Sequence, residues 1–193
     1  MNREKEKTDY RVIRTQKRLR SSLLKLMSEK PVGKITPTAL CREAGINRNT
    51  FYSHYKSVED LLLSMEDEVY EQARHFLELL LDSESTHKLL EQCFLVAYKN
   101  KDICTLIFSE PRNSGLLQRI VELAHDKIIA KWRAAGIGKE DAEAEMLYTF
   151  YVNCSLGIIK RWALGGMREE IHELALLMER AIYSGLQGFA PRS

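Results

Sequence analysis

A chain of 193 residues, 45% hydrophobic and 29% charged, holds enough apolar material for one ordinary soluble domain or for a small domain joined to a larger one. Ten glycines and four prolines are too few for a loop-rich fold. They leave long stretches in which apolar residues recur every three or four positions, the mark of an all-α protein. The formal net charge of +2 hides a division: residues 1–56 carry 14 Lys and Arg against 5 Asp and Glu, and the remainder carries 15 against 22. A head of net +9 on a body of net −7 points to a polyanionic partner for the head alone, although a solvated basic helix face would have the same composition.

The start, Met1 to Lys7, is charged and lacks the apolar run of a signal peptide. The longest uncharged stretch in the C-terminal part, Met146 to Ile159, falls short of the ~20 residues that span a bilayer. A cytoplasmic protein with no membrane partner is expected. Cys41, Cys93, Cys104 and Cys154 are spread out, with no CxxC pair and no His at zinc-ligand spacing. They read as reduced, mostly buried thiols, and neither a metal nor a cofactor is expected.

In chain order, residues 1–8 read as a frayed basic arm. A first helix follows from about Asp9 to Glu29, with Leu19, Leu23, Leu26 and Met27 on one face, and Pro31 and Gly33 stop it. Thr36-Pro37 opens a short second helix, because Thr can cap it and Pro suits a first position that needs no N–H. Gly45 suits the left-handed residue that ends it. Asn47 can cap a third helix from about Arg48 to Tyr55. Two short helices joined by a three- to four-residue turn carrying Gly form the helix-turn-helix pattern.

Ser57 to Asp60 resembles a capping box and starts a long fourth helix with Leu62, Met65, Val69, Ala73, Phe76 and Leu80 on one face. Ser85 caps a fifth. Asp102 to Asn113, containing Pro111, reads as an irregular bend. Helices are expected over Leu116–Ala135, Glu140–Leu164 and Arg168–Leu186. The fold class is therefore all-α, a three-helix helix-turn-helix head over residues 1–56 and a helical body over residues 57–193.

The run from Asn47 to Lys56 has one core anchor, Phe51, with Tyr55 one turn later; nearly every other side chain forms hydrogen bonds. Arg48 can donate bidentately to guanine, and Asn49 can pair with adenine in a major groove. Thr50, Tyr52, His54 and Lys56 suit phosphate oxygens, which set register rather than sequence preference. Tyr52 and Ser53, one turn on, can also reach base edges. Tyr55 is better read as a core aromatic.

The stretch from Lys34 to Lys56, followed by Glu59-Asp60-Leu61-Leu62, resembles the N-terminal domain of TetR/AcrR-type regulators over roughly residues 10–65. It matches in Gly45, in the Thr50-Phe51-Tyr52 triplet and in His54 at set spacing. The resemblance implies an all-α homodimer whose paired heads bind a palindromic double-stranded DNA operator, and in most members a repressor released by a small effector. Carried over by position, the DNA contacts are Thr36, Pro37, Thr38, Arg48, Asn49, Thr50, Tyr52, Ser53 and His54. Many members hold a phosphate with a Lys at the start of the fourth helix; here Ser57-Val58-Glu59 stands instead, so either Lys56 substitutes or one phosphate contact is missing. Phe150 to Trp162 with Gly165-Gly166-Met167 resembles the penultimate helix of one subgroup, which implies a dimer interface on the last two helices, where Ser155 and Gly157 would permit close approach.

A ligand pocket is expected among the helices of the body, with Phe94, Cys104, Phe108, Trp132, Tyr148 and Tyr151 as candidate lining, although aromatics at helical spacing are more often packing. No GxSxG, phosphate loop or HExxH is present, and the histidines are scattered, so an enzyme is not expected. The competing reading is a TetR-fold co-activator or small-molecule-binding protein that acts through a protein partner without DNA. The charge of the head and the presence of Arg48 and Asn49 argue against it.

Overall fold

A computed structural model of the chain describes residues 2–80, 85–109 and 115–189, the first eight of these and residue 80 by backbone alone. The described residues form nine α-helices: α1 Asn2–Met27, α2 Pro37–Ala44, α3 Arg48–Tyr52, α4 Val58–Leu80, α5 Thr86–Lys99, α6 Lys101–Ser109, α7 Gly115–Ala134, α8 Asp141–Leu164 and α9 Ile171–Gln187. They contain no strand. The chain divides into two compact units, residues 1–68 and residues 69–193.

In the first unit, the predicted caps are made by the residues that suit them. The Thr36 hydroxyl accepts the Ala39 N–H at 3.2 Å with Pro37 beside it, and Gly45 ends α2 in the left-handed region, at φ 59°. The Asn47 side chain accepts the Asn49 N–H at 2.8 Å. Ser57 accepts the Asp60 N–H at 3.1 Å, and the Asp60 carboxylate turns back to the Lys56 N–H at 2.8 Å. Leu19 and Leu23 of α1, Leu40 of α2, Phe51 of α3 and Leu61 of α4 are fully buried and form the centre of this unit. Burying each is worth roughly 1.5–3 kcal/mol. At the periphery Lys25 pairs with Glu43 at 2.6 Å, and Arg20 makes a two-pronged ion pair with Glu68. Hydrogen bonding to Glu68 is the largest cause that raises the Arg20 pKa.

In the second unit, α5 packs on α9, α6 and α8, and α7 packs on α8. Leu90, Phe94 and Ala97 of α5 meet Cys104 of α6, Trp162 of α8, and Ala175 and Met178 of α9. Ala73, Phe76 and Leu77 of α4 pack with Ala124 of α7. Along α4, Met65, Val69, Ala73 and Phe76 are buried as their spacing predicts, while Leu61 rather than Leu62 is the fully buried leucine of its first turns. The expected side-chain position of Leu80 lies outside the described residues.

Three expectations are corrected. Residues 2–8 are helical rather than an arm, because Arg, Glu and Lys are good helix formers and no breaker intervenes. The third helix ends at Tyr52 rather than Tyr55: the His54 N–H turns to Phe51 O at 2.9 Å, tightening the last turn. Asp102–Ser109, expected to be irregular, is helical, since Ile103, Cys104 and Phe108 bury one face of α6. The Cys104 N–H closes its first turn on Asn100 O at 2.9 Å. The bend expected at Pro111 lies outside the described residues.

Candidate functional site

Helix α3 is anchored from beneath and open from above. Phe51 is fully buried and makes an edge contact with Tyr52 at 5.3 Å between centroids and a tilted one with Tyr55 at 6.0 Å. Tyr55 is buried, as read from its spacing. Arg48, Asn49, Tyr52 and Ser53 are exposed. Three hydrogen-bonding side chains of a five-residue helix and that of its C-cap, Ser53, are therefore exposed together. The Arg48 guanidinium lies 5.8 Å from the Tyr52 ring centroid, within cation–π reach, which biases its direction while leaving its donors open. The Ser53 hydroxyl donates to Thr50 O at 2.8 Å.

The remaining predicted contacts flank this tip. Thr36 and Thr38, at the start of α2, are exposed, and Pro37 is half-buried. The Thr36 oxygen is used as a cap acceptor, which leaves its O–H free to donate outward. Thr50 and His54 are half-buried, and Lys56 is exposed. One participant is not legible from the helix-turn-helix pattern. The Arg18 guanidinium of α1 lies over the turn so closely that a Cβ at Gly45 would stand 2.5 Å from its Nη2. The positive φ is what fixes Gly45; any Cβ there would also push the Arg18 guanidinium aside.

The second unit contains an apolar cavity of about 280 Å³. Cys104, Phe108, Trp132, Tyr148 and Tyr151 border it, together with aliphatic side chains of α4 to α9. Phe94 does not border this cavity. It is fully buried and stands edge-on to Trp162 at 5.2 Å, a core position that periodicity cannot separate from a lining one. The Tyr148 hydroxyl donates to Val121 O at 2.6 Å, and burial pushes its pKa up to about 12. Burial likewise raises the Cys93 thiol to about 12 and the Cys104 thiol to about 11, so both sit as neutral thiols in apolar surroundings. Cys41 is also raised by burial, against the opposing effect of Arg48. Cys154 is exposed, unlike the mostly buried set that was expected.

The histidines that look scattered in sequence are not all scattered in space. His87 and His172 stand together with Glu91, a grouping whose only sequence trace is the His87–Glu91 spacing of one helical turn. Among the described residues no helix is long and apolar enough to cross a membrane.

Comparison with known proteins agrees with this architecture. Residues 84–184 match a family model described as the C-terminal region of transcriptional regulators of the TetR group. A 65-residue stretch is 43% identical to the uncharacterized HTH-type transcriptional regulator YxbF of Bacillus subtilis strain 168; the match spans 33% of this chain and 17% of that protein. Among solved structures, the fatty acid degradation regulator FadR of Bacillus halodurans superposes with a TM-score of 0.67 at 12% identity, covering 90% of this chain and 96% of that one. FadR of Bacillus subtilis, solved in complex with stearoyl-CoA, gives 0.63 at 15% identity over 87% and 97%. The dihydroxyacetone kinase operon activator DhaS gives 0.58 at 15% identity over 92% and 98%. A polar-tipped helix-turn-helix, an all-α fold among the described residues and a family match over half the chain lead to one conclusion: the protein belongs to the TetR/AcrR family of transcriptional regulators, not to a class of enzymes.

Proposed function

We propose that the protein is a cytoplasmic, homodimeric repressor that binds a palindromic operator and is released by a small apolar ligand. The observation that carries this reading is the exposed set Arg48, Asn49, Tyr52 and Ser53 on a buried Phe51 anchor within a head of net charge +9. In this reading residues 1–56 bind DNA. Arg48 and Asn49, with Tyr52 and Ser53 one turn on, address base edges, while Thr36, Pro37, Thr38, Thr50, His54 and Lys56 hold the backbone. Two such heads engage major grooves one turn apart, ~34–36 Å between centres.

Residues 57–193 supply the ligand and the dimer. An exposed band of α8 at helical spacing, Met146, Phe150, Asn153, Gly157 and Leu164, supports self-association, as do the exposed Leu177 and Tyr183 of α9. A Cβ at Gly157 would meet nothing within 4 Å, so a partner helix has room to approach there. The cavity, bordered by Cys104, Phe108, Trp132, Tyr148 and Tyr151, suits a ligand with an apolar chain. Acyl-CoA complexes of two fold neighbours, with stearoyl-CoA and lauroyl-CoA, make long-chain acyl-CoA the first effector to try.

The test is fluorescence anisotropy on the DNA upstream of the protein's own gene, against a scrambled competitor and across a salt series. Saturable binding that survives the competitor, with log affinity falling linearly in log salt, supports operator recognition. Its loss on adding stearoyl-CoA supports induction. Binding to no fragment in a genome-wide selection would move the protein to the second reading, a co-activator working through a protein partner. The fold likeness to an operon activator keeps that reading in view.

A further inference from the structure

Two histidines 85 residues apart in sequence meet where α5 and α9 begin. His87 lies in the first turn of α5, Glu91 one turn further along, and His172 in the first turn of α9. His87 Nε2 is 3.2 Å from His172 Nδ1 and 3.2 Å from Glu91 Oε1, and His172 Nδ1 is 2.7 Å from the same carboxylate oxygen. The two rings stand edge to face at 4.8 Å. Behind them, Glu179 of α9 accepts the His87 backbone N–H at 3.0 Å, and its other oxygen lies 3.9 Å from His87 Nδ1. That Nδ1 is buried and has no hydrogen-bond partner.

Protons alone serve this arrangement badly. If both ring nitrogens carry hydrogen toward Glu91 Oε1, two N–H dipoles of the same sense face one oxygen from 3.2 Å apart. If one nitrogen is bare, it competes with the carboxylate for the other's single proton. A cation about 2.0–2.2 Å from each atom satisfies all three lone pairs at once. Seen from that distance, the sides of 2.7–3.2 Å subtend about 80–100°, the angle between neighbouring ligands of one octahedral face.

We infer that His87, Glu91 and His172 form a binding site for a divalent first-row transition metal, of the zinc, cobalt or nickel kind, that ties the start of α5 to the start of α9. Two imidazoles and one carboxylate favour such ions over magnesium or calcium, which take all-oxygen sites. Glu179 fixes the His87 backbone N–H, and its other oxygen stands beyond hydrogen-bond reach of the ring Nδ1. His172 is the most exposed of the three, with 62% of its side chain accessible, so the outer positions of the metal stay open to water or to a soluble ligand. Ser85 and Thr86, immediately before His87, border the apolar cavity, so the metal would steady one rim of it.

The experiment is a Co²⁺ titration of the full chain, stripped with EDTA and followed by visible absorption, with Zn²⁺ as competitor and thermal melting in parallel. The expected result is one Co²⁺ per chain, displaced by Zn²⁺, without the thiolate charge-transfer absorption that binding at the exposed Cys154 would give. His172→Ala and Glu91→Gln should each weaken Co²⁺ by more than the ~10–100-fold typical of losing an outer partner. Zn²⁺ should raise the melting temperature of the native chain and not that of either variant. Both variants should melt like the native chain in EDTA, which separates loss of metal from loss of fold. Co²⁺ affinity unchanged in the two variants, or less than one equivalent bound at micromolar metal, would overturn the assignment.

Discussion

The two units are built from the same amphipathic helices, yet they keep their chemistry on opposite sides of their surfaces. In the head, the interior is ordinary apolar packing, aliphatic side chains around Phe51 and Tyr55, and the distinctive residues, Arg48, Asn49, Tyr52 and Ser53, face outward. In the body, the distinctive feature is internal, a cavity of about 280 Å³ edged by Cys104, Phe108, Trp132, Tyr148 and Tyr151. An element that reads a surface must be polar where a core former would be apolar, so it departs visibly from helical periodicity. A cavity lining uses the residue types that fill a core, so it leaves no such departure. The contrast teaches where sequence reasoning has purchase: on exposed chemistry and local backbone demands, and much less on internal voids.

Five substitutions would break or sharpen this contrast. The largest effect is expected at the turn of the head. Gly45→Val puts a β-branched residue at φ 59° and drives its Cβ against Arg18. It should cost at least about 2 kcal/mol and abolish DNA binding. An unchanged denaturant midpoint would show that the turn tolerates a side chain. Next, Arg48→Ala should lose about 1–3 kcal/mol of operator affinity, concentrated at one base pair and without change in melting. Equal weakening on every sequence would make Arg48 a phosphate contact instead.

In the body the responses should be internal. Gly185 of α9 packs against the Tyr151 hydroxyl so closely that a methyl group there overlaps it. Gly185→Ala should therefore destabilise by about 1–3 kcal/mol, and adding Tyr151→Phe, which removes the obstructing oxygen, should recover most of the loss. Strictly additive effects in that cycle would sink the contact. The smallest effect concerns His125, held by Glu145 at 2.9 Å and Asp126 at 2.7 Å. Hydrogen bonding to Glu145, then to Asp126, raises its pKa above the ordinary histidine range. The stabilisation is present in full at pH values below that range and is lost as pH rises through the raised value. In an NMR titration Glu145→Gln should move the His125 midpoint down while leaving the melting temperature at high pH almost unchanged.

Much of the head was legible because its determinants act within four residues. Thr36, Gly45, Asn47 and Ser57 each perform the capping role their chemistry suits, and Phe51 and Tyr55 are buried as their spacing implies. The end of α3 was not legible, since a tightened last turn is decided by one hydrogen bond from His54. Helix α6 was hidden by the proximity of Pro111, while its stabilisation comes from burying Ile103, Cys104 and Phe108. Phe94 and Phe108 carry the same side chain, and only packing decides which one meets Trp162 and which edges the cavity. The meeting of His87 with His172 was beyond reach, because nothing local to either residue encodes a partner 85 positions away.

The cysteines give the chain one further property. Cys41 and Cys104 are buried, Cys93 is half-buried with a thiol that burial holds neutral, and Cys154 is the one exposed cysteine. The native protein thus comes with a single addressable handle, placed beside Asn153 in the apolar band of α8. A fluorophore or spin label attached without any mutation would sit where a second copy is proposed to dock. The rate at which that sulfur is modified, as a function of protein concentration, becomes a clock for how long the band stays uncovered.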